Sequence, residues 1–324
     1  MRRPHGVRAF ALGIALAAVL ATNAPAADYP TRPVKLIVPF APGGATDIVG
    51  RLMADQLSTR WGQPVVVENK PGAGTIVGTS AMVNAPADGY TIGVAISAHV
   101  INPSLQASLP YDTLRDIAGV SLVSYQTMAV TATPSLAATD VPSLIALVKA
   151  TPGGMAYASP GVGTMTHLAG ELLERAAGIT LTHVPYAGGA PAQIDVMAGR
   201  VPLLFDIWYS VRPKVEAGNL KLLGVFDAKR LAERPDAMSF AEAFPGLDAR
   251  SSLGLIMRSA TPRPIIEQVG ATAAAAVRDP AFAQRMRELG LEPVGSTPEE
   301  YDAFIRREIA RWKEVIDAKG IKLN

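Results

Sequence analysis

The chain of 324 residues has no cysteine, only 6% aromatic residues and only 18% charged residues, and its 30 Lys and Arg nearly balance its 28 Asp and Glu. Without cysteine there is no disulfide framework, thiolate nucleophile, Cys-ligated zinc or iron–sulfur cluster. A formal net charge of +2 provides no strongly basic face, so no nucleic-acid partner is expected. Histidine is scarce too. Past the N-terminal segment only His99, His167 and His183 occur, and no pair has metal-site spacing, so neither a metal nor any other cofactor is expected. A G-x-x-x-x-G-K-[ST] phosphate loop and a G-x-S-x-G nucleophile elbow are both missing. The run Gly72-x-Gly74-x-x-x-Gly78 lacks the G-x-G-x-x-G dinucleotide spacing, and Ser97 rather than an acidic residue follows the next strand. No catalytic constellation assembles.

What is present begins with an export signal. Arg2, Arg3 and Arg8 precede an uncharged apolar run from Ala9 to Ala21, and Ala24-Pro25-Ala26 is a small-x-small cleavage site. Residues 1–26 therefore read as a secretory signal peptide cleaved after Ala26, and a periplasmic location is expected. The apolar run is shorter than the ~20 residues that span a bilayer core. With no cysteine after the cleavage point, a lipid anchor is not expected. Removing this segment also removes the positive excess, so any attraction for anions must come from local geometry.

At 49% hydrophobic, the chain is rich enough in apolar residues for two α/β domains. Short β-branched runs alternate with amphipathic stretches, as in a sheet covered by helices. Strands are predicted at Val34–Phe40, Val65–Asn69, Thr91–Ile96, Met128–Thr133, Met155–Ser159, Leu181–Tyr186, Val201–Ile207, Leu220–Phe226 and Leu253–Met257. Helices are predicted at Thr46–Arg60, Thr75–Asn84, Pro142–Lys149, Thr164–Ala177, Pro191–Ala198, Ile265–Arg278 and Pro280–Leu289. A last helix starts at a capping box of Thr297 and Glu300 and carries Tyr301, Phe304, Ile305, Ile309, Trp312 and Ile316 at helical spacing.

Four predicted strands end in glycine-rich turns that open into helices: Phe40-Ala41-Pro42-Gly43-Gly44-Ala45-Thr46-Asp47, Pro71-Gly72-Ala73-Gly74-Thr75, Pro160-Gly161-Val162-Gly163-Thr164 and Tyr186-Ala187-Gly188-Gly189-Ala190. Such a turn presents unpaired N–H groups and the positive end of a helix dipole, which together form an anion site. Ligands of open α/β sheets bind outside the carboxyl ends of the strands, where these turns lie. Two lobes could therefore hold a small anion between them. Thr46, Thr75 and Thr164 read as helix caps or as additional hydroxyl donors. His167 reads as a packing residue or a cleft residue. Asp47 and Asp206 read as loop braces, as general bases, or, for Asp206, as an acceptor for a ligand ammonium or hydroxyl.

The motifs from Val38 to Asp47, Val67-Glu68-Asn69-Lys70-Pro71-Gly72-Ala73-Gly74, Ala158 to Thr164 with His167, and Val184-Pro185-Tyr186-Ala187-Gly188-Gly189 closely resemble those of Bug-type extracytoplasmic solute receptors of tripartite tricarboxylate transporters. The resemblance extends to Pro110-Tyr111-Asp112 and Arg234-Pro235-Asp236. It implies an α/β, two-lobed periplasmic-binding-protein (Venus flytrap) fold whose interleaved lobes are joined by crossing strands. On that reading the first lobe is 27–124 with 250–324, and the second is 125–249. The implied function is non-enzymatic capture of a small carboxylate, which the resemblance leaves open among dicarboxylates, tricarboxylates, acidic amino acids and aromatic acids, by a monomer that delivers it to two membrane subunits; an exported enzyme and a signalling receptor are the alternatives. The implied ligand contacts are Phe40, Ala41, Pro42, Gly43, Gly44, Thr46 and Asp47 in one turn and Ser159, Gly161, Gly163, Thr164 and His167 in another. Tyr186, Ala187, Gly188, Ser97 and Asp206 complete the set. His99, Asn102, Trp208 and Tyr209 are further candidates to face the cleft.

Overall fold

A computed structural model describes residues 29–247 and 250–319. The expected signal peptide and its cleavage site lie outside the described residues. Ten strands make one continuous sheet: β1 (Val34–Val38), β2 (Val65–Asn69), β3 (Thr91–Ile96), β4 (Ile117–Ala132), β5 (Met155–Ser159), β6 (Leu181–Pro185), β7 (Leu203–Ile207), β8 (Lys221–Phe226), β9 (Arg250–Arg258) and β10 (Leu291–Pro293). Their order is β2-β1-β3-β9-β4-β7-β5-β6, with β8 and β10 also paired to β4. The α-helices are α1 (Ala45–Trp61), α2 (Ile76–Val83), α3 (Ala98–Leu105), α4 (Val141–Ala150), α5 (Met165–Ala177), α6 (Gly189–Met197), α7 (Trp208–Glu216), α8 (Phe240–Ala243), α9 (Arg263–Arg278), α10 (Pro280–Glu288) and α11 (Pro298–Lys319).

The sheet is two half-sheets sharing one long strand. β1, β2 and β3 are parallel, as are β5, β6 and β7, each set alternating with helices. β4 runs antiparallel to β9 over Ile117–Thr127, then changes partners and pairs with β7 and β8 over Met128–Ala132. Because β4 is buried along nearly its whole length, its apolar residues support the core on both sides. Leu36, Ile92 and Met53 fill one half, and Tyr157, Phe205, Phe226 and Phe240 the other, all fully buried. The Phe226 and Phe240 rings stack 4.4 Å apart between centroids.

The predicted elements recur with shifted ends. The strand predicted over Met128–Thr133 is the last part of β4, and the strand predicted over Leu253–Met257 is the middle of β9. The helix predicted from Thr75 is preceded by a 3₁₀ turn, Ala73–Thr75, in which all three residues have positive φ. α11 starts as read: Glu300 N donates to Thr297 Oγ1 (3.2 Å) and Glu300 Oε2 accepts from Thr297 N (2.8 Å). Its Tyr301, Phe304, Ile305, Trp312 and Ile316 are buried.

Candidate functional site

At the C-terminal ends of β1 and β7 the two halves enclose a small cavity. Its wall takes Phe40, Gly44, Ala45 and Thr46 from the start of α1, Thr164, Met165 and Thr166 from the start of α5, and Gly189 from the start of α6. The rest comes from Ile96, Pro160, Asp206, Ile207 and the crossing-strand residues Gln126 and Ser251. Among the described residues, no lysine, arginine or histidine lines it. Phe40 and Pro160 also face a neighbouring groove lined by Gly72, Gly74, Gly161, Tyr186 and Ala187, so all four glycine turns meet here.

The approach is close, and at Gly188 a φ of +137° adds a backbone preference for glycine. A β-carbon on Gly44 would lie 3.3 Å from the Gly189 backbone N, and one on Gly188 would lie 3.2 Å from Ala41 N. Ala41 N donates to the Ala187 carbonyl (3.0 Å), and the Tyr209 hydroxyl donates to the Ala45 carbonyl. The halves are therefore closed against each other.

α1 and α6 both begin with a glycine N-cap and no side-chain cap, so their first N–H groups lack the usual side-chain acceptor. The first turn is held from behind. Asp47 Oδ2 accepts from Gly43 N and from Arg51 Nε, both at 2.9 Å, while Oδ1 accepts from Asn69 Nδ2 at 2.9 Å. Burial raises the Asp47 pKa, but hydrogen bonds from Arg51, Gly43 and Asn69 outweigh it and hold the carboxyl below its usual range. Asp47 thus braces the loop. It does not line the cavity.

The α5 turn is satisfied internally. Gly161 N donates to Ser159 Oγ (3.1 Å), Gly163 N to His167 Nδ1 (3.3 Å), and His167 N to Thr164 Oγ1 (3.3 Å), so this turn offers the cavity hydroxyls more than free amides. Beneath it His167 stacks on His183 with centroids 4.2 Å apart, and His183 Nε2 meets Ser159 Oγ at 2.6 Å. His167 is therefore a packing residue that orders the turn.

Burial holds these imidazoles neutral. It pushes the pKa of His99 and His167 down to about 4, and that of His183, aided by His167, down to about 3. Below the ordinary value of about 6.5 the unfolded chain binds protons that the folded chain refuses, so these groups remove stability as pH falls from about 7 towards 4. Asp206 acts with the opposite sign: burial raises its carboxyl to about 6, so its contribution weakens as pH rises from about 4 to 6. Three groups outweigh one. The melting temperature is expected to fall between pH 7.5 and pH 5, and a level profile would contradict buried neutral histidines.

Asp206 is the penultimate residue of β7 and is 1% exposed. Its Oδ2 accepts from Gln193 Nε2 (2.7 Å) and its Oδ1 from Ile207 N (2.8 Å). Each oxygen keeps lone-pair capacity, and the residue lines the cavity. Gln126 also lines the cavity, 2% exposed, and its Nε2 donor has no partner.

Of the sequence-derived candidates, Phe40, Gly44, Thr46, Thr164 and Asp206 reach the cavity, and Gly161, Tyr186 and Ala187 line the adjoining groove. Ser97 lies elsewhere: its Oγ bonds Ser252 Oγ (3.1 Å), and it lines a separate groove with Tyr125 and Phe304. Trp208 is buried and donates to Glu233 (3.1 Å), and Asn102 donates to the Gly74 carbonyl (3.0 Å). Sequence reasoning missed Gln126, Thr166, Gly189 and Ser251. Thr166 and Gly189 belong to motifs already in view. Gln126 and Ser251 carry no local signal beyond being polar residues in crossing strands.

The family model described as the tripartite tricarboxylate transporter family receptor, TctC, matches residues 49–321. The chain belongs to the TctC family. BugT of Bordetella pertussis is 34% identical over 316 residues, 96% of this chain and 97% of BugT. Among solved structures, the periplasmic binding protein BugD is 31% identical with a TM-score of 0.87, covering 91% of this chain and 99% of BugD. A Rhodopseudomonas palustris protein solved with adipate is 33% identical with a TM-score of 0.87, covering 91% of this TctC-family chain and 99% of that protein. MatC of the same organism, solved with malate, is 27% identical with a TM-score of 0.84, covering 89% and 100%. The TctC fold is the two-lobed α/β periplasmic-binding fold, and β4 is the strand that runs through both half-sheets.

Proposed function

We propose that this TctC-family protein is a periplasmic, non-enzymatic receptor that closes over a small carboxylate and presents it, as a monomer, to two membrane subunits. The observation that carries this reading is the convergence of two uncapped helix starts, α1 and α6, on one cavity lined by both lobes. A carboxylate there satisfies the orphan N–H groups and both dipoles, and hydrogen bonds to a charged group contribute ~1.5–3 kcal/mol each. The adipate and malate complexes of relatives support the same ligand class.

Phe40, Gly44, Thr46, Thr164 and Asp206 are the proposed contacts from the original set. Asp47, Ser159 and His167 position the turns, and Gly43, Gly161, Gly163 and Gly188 shape them. The proposed lobes are 27–124 with 250–324, and 125–249, with closure a rotation about β4 and β9. Delivery requires the apolar leader of residues 1–26 to direct export.

A thermal-shift screen of organic acids tests the function. Ligand at 100 times its Kd stabilises by ~2.7 kcal/mol, which is about 4 °C for a chain of this size. The bound acid is expected to be recovered intact after incubation. Conversion to a product, or no stabilisation by any carboxylate, would overturn the receptor reading.

A further inference from the structure

Building on the carboxylate-receptor reading, the charge balance of the cavity narrows the ligand. The helix starts can neutralise one carboxylate, but no cationic side chain lines the wall to receive a second, and the one ionisable lining residue, Asp206, is itself an acid. Asp206 is fixed by Gln193 and the Ile207 amide and, among the described residues, has no ion-pair partner. A buried carboxylate in that state gains most from a ligand that brings a positive charge to it.

Position gives the second constraint. A β-carbon on Gly189 would fall 2.5 Å from Asp206 Oδ2, and Gly189 N is the group that a β-carbon on Gly44 would meet at 3.3 Å. The acceptor therefore stands beside the anion cradle. A ligand spanning both needs its carboxylate and its donor on neighbouring atoms. The buried, unpartnered Gln126 Nε2 supplies a further donor on the wall of this cavity, independent of the helix ends. The remaining wall is mostly apolar, with Phe40, Ile96, Met165 and Ile207.

We propose that the preferred ligand is a zwitterionic 2-amino acid with a compact apolar side chain, its carboxylate held by the α1 and α6 starts and by Gln126 and its ammonium held by Asp206. Asp206 is then the residue that separates this ligand from plain acids and dicarboxylates of the same skeleton.

Calorimetric titration of the purified protein with matched sets tests this: 2-aminobutanoate, 2-hydroxybutanoate, butanoate and succinate, and the corresponding three- and five-carbon sets. The amino form is expected to bind at least tenfold more tightly than every matched acid. Asp206→Asn, close to isosteric and able to keep one of its two hydrogen bonds, is expected to weaken the amino form about a hundredfold and to strengthen butanoate, since it removes a negative charge. Gln126→Leu is expected to weaken all forms that bind, and its thermal melt confirms folding. If dicarboxylates or unsubstituted acids bind more tightly than the amino form, the ligand assignment falls while the carboxylate-receptor reading stands. If Asp206→Asn weakens all acids equally, its selective role falls. Absence of binding by every member overturns this proposal, and the wider thermal screen then decides the receptor reading separately.

Discussion

Gly44→Asp is expected to abolish ligand binding while leaving the fold intact. Gly44 is the N-cap of α1 with φ −85° and ψ 174°, an extended conformation that aspartate adopts freely and that suits its capping role. The new carboxylate would accept from the α1 N–H groups and occupy the place proposed for the ligand's own carboxylate. Losing two charge-assisted hydrogen bonds costs ~3–6 kcal/mol, and the added charge repels any anion, so affinity should drop by a factor of 100 or more. Thermal stability without ligand should hold or rise by a few tenths of a kcal/mol. Gly44→Ala separates charge from bulk. Its β-carbon meets the Gly189 backbone at 3.3 Å, a contact that a shift of a few tenths of an ångström relieves, so the expected loss is about tenfold. Equal losses for the two variants would mean that the effect is steric and that α1 is not an anion cradle.

The second large effect is expected at Gly74. It sits in the strained 3₁₀ turn with φ 57° and ψ 45°, and its carbonyl is held by Asn102 Nδ2. A β-carbon there would run into the Val162 carbonyl of the facing lobe. The backbone cost is ~1–2 kcal/mol, and neighbouring Ala73 already holds a left-handed conformation at φ 44°. Gly74→Ala should therefore fold yet fail to close. Small-angle scattering is expected to show no compaction on adding ligand, and affinity should fall at least a hundredfold because only contacts from one lobe remain. Compaction and affinity like those of the parent protein would show that the approach of Gly74 to Val162 is dispensable for the bound state.

Local signals were enough to read the parallel strands and the glycine turns, because β-branched runs bounded by Gly and Pro specify a strand-to-helix switch without long-range help. Where they failed, the cause lies in particular residues. α3 contains Pro103, which argues against a helix in isolation, and tertiary packing of buried Ile101 overrides it. The first half of β4 carries Ser121, Ser124, Gln126 and Thr127, which break the apolar pattern although all are buried. Ser121 Oγ is satisfied by the Ser296 carbonyl (2.8 Å), a partner 175 residues away that no local reading supplies. Two short strands or helices, β10 and α8, offer too few residues for a period.

The candidate site was legible to the same depth. Glycine spacing identified α1's turn and the Tyr186–Ala190 turn, and the end of β7 drew attention to Asp206. That the α5 turn has spent its amides on Ser159 and His167 follows from the packing of His167 on His183, which sequence spacing does not encode. Gln126 enters the cavity only because β4 passes between the lobes at that residue.

That passage has a kinetic consequence. β4 changes partners between Thr127 and Met128 without ending, so its backbone is paired on both sides of the pivot. A rotation there can be absorbed as small increments of twist along an unbroken ribbon, with no ladder hydrogen bond given up to water. On the proposed closure the two lobes are coupled as by a torsion spring, and a ligand held by Gln126 as proposed would sit at the fulcrum, where a large swing at the rim moves it least.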